Sequence, residues 1–207
     1  MSRVALIDGL LPEGFPGLAA RIDLAGGAAA ESPAGRHAAA MAAALRAGAP
    51  EAEILNLAIF PGRMATSLAT LVAALDRARA EGAGLVLCAL GLARPDPTLD
   101  AAIVALHEAG ACVVAAAAAR GGPVWPAACE GVLSVQGDAR CGPGAWSRLD
   151  LPTAEWGACP RAASDPEIMG ASVAAAHLAG IAAALPEGDP RAALRDGAAF
   201  HGREHRR

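Results

Sequence analysis

VALIDG, residues 4–9, is an unbroken run of four apolar residues followed by an aspartate and a glycine. A strand with one wet face alternates apolar and polar residues. An unbroken run is instead the pattern of a strand buried on both faces, as in a parallel sheet covered by helices. The pattern recurs at residues 54–59, 85–90, 112–117 and 132–136. Between and after these runs lie stretches of helical character, near 36–46, at 67–81 and 97–109, near 172–185 and at 190–195. That alternation predicts an α/β fold of three layers, a parallel sheet between two layers of helices. In such sheets functional side chains gather beyond the carboxyl ends of the strands, which is where Asp8 falls. Residues 91–97, 120–131 and 138–166 are rich in glycine and proline and read as surface loops.

The 207 residues are 54% apolar, enough to bury one sizeable core. They read as one domain, 1–199, with a short basic tail, 200–207, expected to be solvated and frayed. The longest apolar run, 111–119, is far too short to span a bilayer, and the first residues lack the apolar stretch of a signal peptide or anchor, so no membrane role is expected. Five cysteines (Cys88, Cys112, Cys129, Cys141 and Cys159) are an odd number without a CxxC pair. That fits reduced thiols and a cytoplasmic location better than a disulfide framework or a zinc site. All 17 basic residues are arginine, yet they form no basic stripe and the net charge is −4. Nucleic acid is therefore excluded as the main partner. No GxGxxG follows the first strand, which argues against a nucleotide-binding doubly wound domain.

Nucleophilic catalysis by serine needs a base within hydrogen-bond reach and a carboxylate to orient it. Of the five histidines, His201 and His205 lie in the tail and His107 sits inside a helix. His177 follows Ser172 by five residues on one helix, about 140° round the axis, and so cannot be that serine's base. His37, at a helix start in GRHAAAM, is the remaining candidate. Taken singly, Asp8 could merely cap a turn and Ser172 a helix.

Six segments in register resemble the subtilisin-like serine proteases. VALIDG resembles the aspartate motif, with Asp8 as the orienting acid. GRHAAAM is similar to the histidine motif HGTHVAG, with His37 as the base, and GASVAAAHLAGIAAAL to GTSMASPHVAGAAAL, with Ser172 as the nucleophile. LVLCALG resembles the substrate-binding strand ending in SLG, CVVAAAAARGG resembles VVVVAAAGNEG, and WPAACEGVLSVQG resembles the segment that walls the pocket for the residue before the cut. The chain order Asp, His, Ser is that of subtilisin. The resemblance implies a minimal subtilisin-like fold with an Asp8, His37, Ser172 triad and a substrate held by Ala89, Leu90, Gly91, Trp125 and Pro126.

Departures from the pattern carry expectations of their own. Ala119 stands at the position of the asparagine that donates to the oxyanion, so the hole is degenerate unless neighbouring Arg120 substitutes for it. Arg36 replaces a threonine before the histidine, and Ala175-Ala176 replace a serine-proline pair. Neither an inhibitory pro-segment nor acidic calcium loops are recognisable, which predicts a chain that folds unaided and needs no metal or cofactor. Trp125 is expected to narrow the pocket and favour small apolar residues before the cut. The implied activity is a selective endopeptidase making a leader-peptide or maturation cut. The resemblance extends to the small leader-processing protease of quinohemoprotein amine dehydrogenase biogenesis, which implies that enzyme's small-subunit precursor as the polypeptide substrate. The alternative is a pseudoprotease that binds a peptide along Ala89 to Gly91 as an added strand and cuts nothing.

Overall fold

The computed structural model describes residues 3–186 and 188–203. In chain order the elements are β1 (Arg3–Asp8), β2 (Leu18–Asp23), α1 (Pro33–Gly48), β3 (Glu53–Ala58), α2 (Leu68–Ala80), β4 (Leu85–Cys88), α3 (Pro97–Glu108) and β5 (Cys112–Ala116). They continue with β6 (Leu133–Gly137), β7 (Trp146–Leu151), β8 (Ala154–Ala158), α4 (Ala171–Ala184), α5 (Pro190–Asp196) and β9 (Phe200–His201). The strands form one sheet in the order β2-β3-β1-β4-β5-β6-β8-β7-β9, parallel throughout except for the β7–β8 pair.

The apolar runs occupy the middle of this sheet, as their lack of alternation requires. Val4 to Ile7, Leu85 to Cys88 and Val113 to Ala116 are all buried. One face packs against α1 and α4, in a core holding Met41, Leu45, Val173 and Leu178; the other packs against α2 and α3, around Leu71, Leu75, Leu99 and Ile103. Three layers result, in agreement with the sequence. Four helices start with a side-chain cap: Ser32 accepts from the Gly35 amide, Ser67 from Thr70, Asp96 from Thr98 and Asp189 from Arg191. Each satisfies a donor that a helix start otherwise leaves open.

Residues 138–166 are not wholly loop. They contain the β7–β8 hairpin, with Trp156 fully buried and β8 inserted beside β6. Glycine and proline there mark the turns, and polar residues between them interrupt any apolar run. Strand β2 was likewise illegible: LAARID lies at the sheet edge, half exposed and carrying charges, as edge strands commonly do. The start of the basic tail is docked rather than frayed. Phe200 and His201 pair with β7, and Arg140 Nη2 donates to the Gly202 carbonyl at 2.7 Å. Residues 204–207, His205 among them, lie outside the described residues.

Candidate active site

β1 delivers Asp8 to the carboxyl edge of the sheet, and α1 begins directly above it. The approach is so close that a Cβ on Gly9 would lie 2.1 Å from the Ala34 carbonyl oxygen, so only glycine fits there. Asn56, buried on β3, holds the chain after Asp8 in place. Its Oδ1 accepts from the Leu11 amide and its Nδ2 donates to the Gly9 carbonyl, both at 2.9 Å. The single asparagine of the chain, set in an otherwise apolar strand, is the sequence signal for this support.

Asp8 is fully buried and His37 retains 16% side-chain exposure. His37 Nδ1 lies 3.0 Å from one Asp8 oxygen and 2.8 Å from the other, and the Gly9 amide donates to Asp8 Oδ1 at 2.7 Å. A carboxylate can only accept, so Nδ1 carries the proton and Nε2 keeps a free lone pair. Burial pushes Asp8 above the usual carboxylate range, against the opposing pull of His37 and the Gly9 amide. Burial also acts to lower His37, but the hydrogen bond and charge of Asp8 outweigh it and hold the imidazole above its ordinary value. An oriented imidazole with one open nitrogen at a solvent edge has the geometry that a general base needs.

Ser172 is the second residue of α4. It does not cap the helix: Gly170 is the N-cap, at φ 128°, and no side chain caps α4. The amides of Ala171, Ser172 and Val173 precede the first helical bond, from the Ala174 amide to the Gly170 carbonyl at 3.1 Å. This helix start is open. α1 and α4 run side by side in the same direction. At their starts Arg36 Nη2 bonds Asp165 at 2.6 Å and Glu167 at 3.3 Å, in the loop leading to α4. Farther along, Gly180 lies against Leu45, where a Cβ would come within 2.1 Å of the Leu45 carbonyl oxygen. His37 precedes Leu45 by eight residues and Ser172 precedes Gly180 by eight, about 12 Å along each helix from that contact. Among the described residues no hydrogen bond joins Ser172 to His37.

Beyond β4, the chain after Ala89 to Gly91 is bridged to the loop before β6. The Leu92 amide donates to the Trp125 carbonyl at 2.7 Å and the Trp125 amide to the Leu92 carbonyl at 2.9 Å. Trp125 packs against the core beside Leu90 and Val124, and Pro126 is buried. Ala119 and Arg120 follow β5 and are exposed. The remaining candidates are structural. His177 Nε2 donates to the Arg161 carbonyl at 3.3 Å from a buried position. The five cysteines are free thiols, and burial pushes the thiol of Cys88, at the end of β4, up to about 12. Among the described residues no group of three or more His, Cys, Asp or Glu side chains could hold a metal ion, and no helix is long and apolar enough to cross a membrane.

No protein-family model and no curated protein matches the chain. Solved structures do. A cold-adapted subtilisin-like serine proteinase superposes with a TM-score of 0.70 at 17% identity, covering 94% of this chain and 76% of its own. The chain has the subtilisin fold. The patellamide maturation protease PatA gives 0.67 at 23% identity over 95% of this chain and 81% of its own. The prenylagaramide maturation protease PagA gives 0.63 at 19% over 88% and 74%. Identities this low speak for the subtilisin fold alone. Sequence reasoning missed the Arg36 link to Asp165 and Glu167, because the partners lie 129 and 131 positions apart and no local pattern joins them.

Proposed function

We propose that the chain is a serine endopeptidase of subtilisin type that makes a leader-peptide or maturation cut in a partner polypeptide, with Ser172, His37 and Asp8 as its triad. The observation that carries this reading is the buried Asp8 bonded through both oxygens to Nδ1 of His37, which leaves Nε2 open. In the proposed reaction His37 Nε2 takes the Ser172 hydroxyl proton as Oγ attacks the scissile carbonyl. Asp8 keeps the imidazole in the right tautomer and stabilises the imidazolium, which then protonates the leaving amine. The uncapped amide of Ser172 and the positive end of α4 would stabilise the oxyanion. With alanine at position 119 the second donor is missing, and a slow, selective enzyme is the expected consequence.

The fold is shared with two proteases that are named for maturation, and this supports a processing cut as the reaction class. The finer reading, the small-subunit precursor of a quinohemoprotein amine dehydrogenase as substrate, rests on the sequence resemblance. Free thiols on all five cysteines support the cytoplasm as the compartment. A fluorophosphonate probe tests the centre of the proposal. It is expected to label the protein at Ser172, and Ser172→Ala or His37→Ala is expected to abolish labelling. A folded protein that stays unlabelled would instead favour the peptide-binding pseudoprotease.

A further inference from the structure

A cleft of about 400 Å³ opens beyond the carboxyl ends of β5 and β6, with Ala119, Arg120, Gln136, Asp138, Thr153 and Arg203 among the residues that line it. Asp8, His37 and Ser172 are not among its walls. The charges of the cleft do not cancel. Asp138 supplies its one carboxylate, and that charge is taken up inside the fold: Arg140 holds its two oxygens through Nε at 3.0 Å and Nη2 at 2.7 Å, and Ser147 Oγ donates to it at 2.6 Å. Arg120 and Arg203 have no ion-pair or hydrogen-bond partner among the described residues, and both are exposed. The two guanidinium groups share this concave wall, and no carboxylate in it is left to match them. Their planar fork matches a carboxylate in two-point geometry, and Gln136 and Thr153 add neutral donors beside them.

Position says what kind of molecule brings the carboxylate. The cleft opens on the same edge of the sheet as Asp8, and β6 lies three strands from β1 in the order β1-β4-β5-β6. Ala119, one of the walls of the cleft, is also the position that the resemblance assigns to the oxyanion donor, so on that reading the cleft adjoins the reacting bond. We propose that this cleft binds carboxylate groups of the polypeptide on which the Ser172 site acts, close to the reacting bond. The proposal rests on the proteolytic reading of that site. The carboxylate has two possible sources, acidic side chains and the carboxyl terminus of the polypeptide.

The Ser172→Ala protein, titrated calorimetrically at low salt, separates these sources with three peptides: acetyl-AASEESA-amide, its glutamine counterpart acetyl-AASQQSA-amide, and acetyl-AASQQSA with a free carboxyl terminus. The carboxylate-bearing peptides are expected to bind at least about tenfold more tightly than the blocked glutamine peptide, with an advantage that shrinks as salt is added. An advantage confined to the glutamate peptide assigns the cleft to side chains, and one confined to the free terminus assigns it to the chain end. Arg120→Gln combined with Arg203→Gln, both at exposed positions that should leave the fold intact, is expected to erase the preference. Equal affinity for all three peptides, or a preference that survives the double substitution, overturns the proposal. Fluorophosphonate labelling of the unsubstituted protein keeps the two readings apart. Labelling without any carboxylate preference removes the cleft alone; an arginine-dependent preference without labelling removes the Ser172 reading and leaves the cleft as a peptide site.

Discussion

α1 and α4 begin side by side at the same edge of the sheet, and their first turns are built for opposite purposes. α1 starts with its Gly35 amide capped by the Ser32 side chain and with Ala34 wedged against Gly9, so the turn that carries His37 is fixed against a buried carboxylate. α4 starts on a glycine with no side-chain cap, so its first amides stay free for something outside the fold. A helix end closed by its own chain can orient a side chain, whereas an open one can receive a negative charge. The proposed chemistry needs one of each.

The sharpest way to break the closed end is Asp8→Asn, which keeps the shape and removes the charge. The rate is expected to fall by about 10⁴, because an amide can also donate to Nδ1 and so favours the wrong tautomer. The pH profile carries a second signature. Asp8 holds His37 above its ordinary value, so activity in the native protein should fall away on acidification from a point above about 6.5, as His37 takes up a proton. Without the carboxylate that limb should move to lower pH. A limb that stays in place would mean that His37 is not the titrating base.

The open end is sharpened by Ala119→Asn. If the Ser172 amide is the sole donor to the oxyanion, restoring the second should raise turnover by up to about 10², since losing such a donor costs 10² to 10³ elsewhere. Single-turnover kinetics on a cleaved substrate would reveal it. An unchanged rate would mean that another group, such as Arg120, already fills the role.

Gly180→Ala tests the register between the two helices. The added methyl would meet the Leu45 carbonyl at 2.1 Å, so the helices must separate at a cost of about 1–3 kcal/mol, readable as a lower urea midpoint. Activity should fall further than stability alone explains, because that contact sets how closely the helices carrying His37 and Ser172 pack. The smallest effect belongs to Arg36→Ala. An exposed ion pair screened by solvent contributes little to stability, so the melting temperature should not change measurably. The expected loss is in kcat with KM preserved, imitated in the native protein by high salt, since Arg36 links the helix of His37 to the loop ahead of Ser172.

The legible parts of this protein share a property: their signal is contained in a short window. Buried strands announce themselves as unbroken apolar runs, and Asp8 is visible because a charge ends such a run. Strand β2 and the hairpin β7–β8 have no such window. LAARID carries charges because one edge of it meets water, and Trp156 is buried by elements far away in the chain.

The amino-acid sequence by itself determined the layers of the fold and the parallel run of the central strands, and it offered Asp8, His37 and Ser172 as candidates through a resemblance. Periodicity and residue chemistry are local, and local properties survive in a linear string. Only the tertiary structure decided that Asp8 grips His37 by both oxygens, that α4 begins uncapped while its neighbours do not, and that Arg120 and Arg203 face one cleft from positions 83 residues apart. Each of these depends on the close packing of distant segments, where a contact of 2.1 Å to a missing methyl group separates an assembled site from a scattered one.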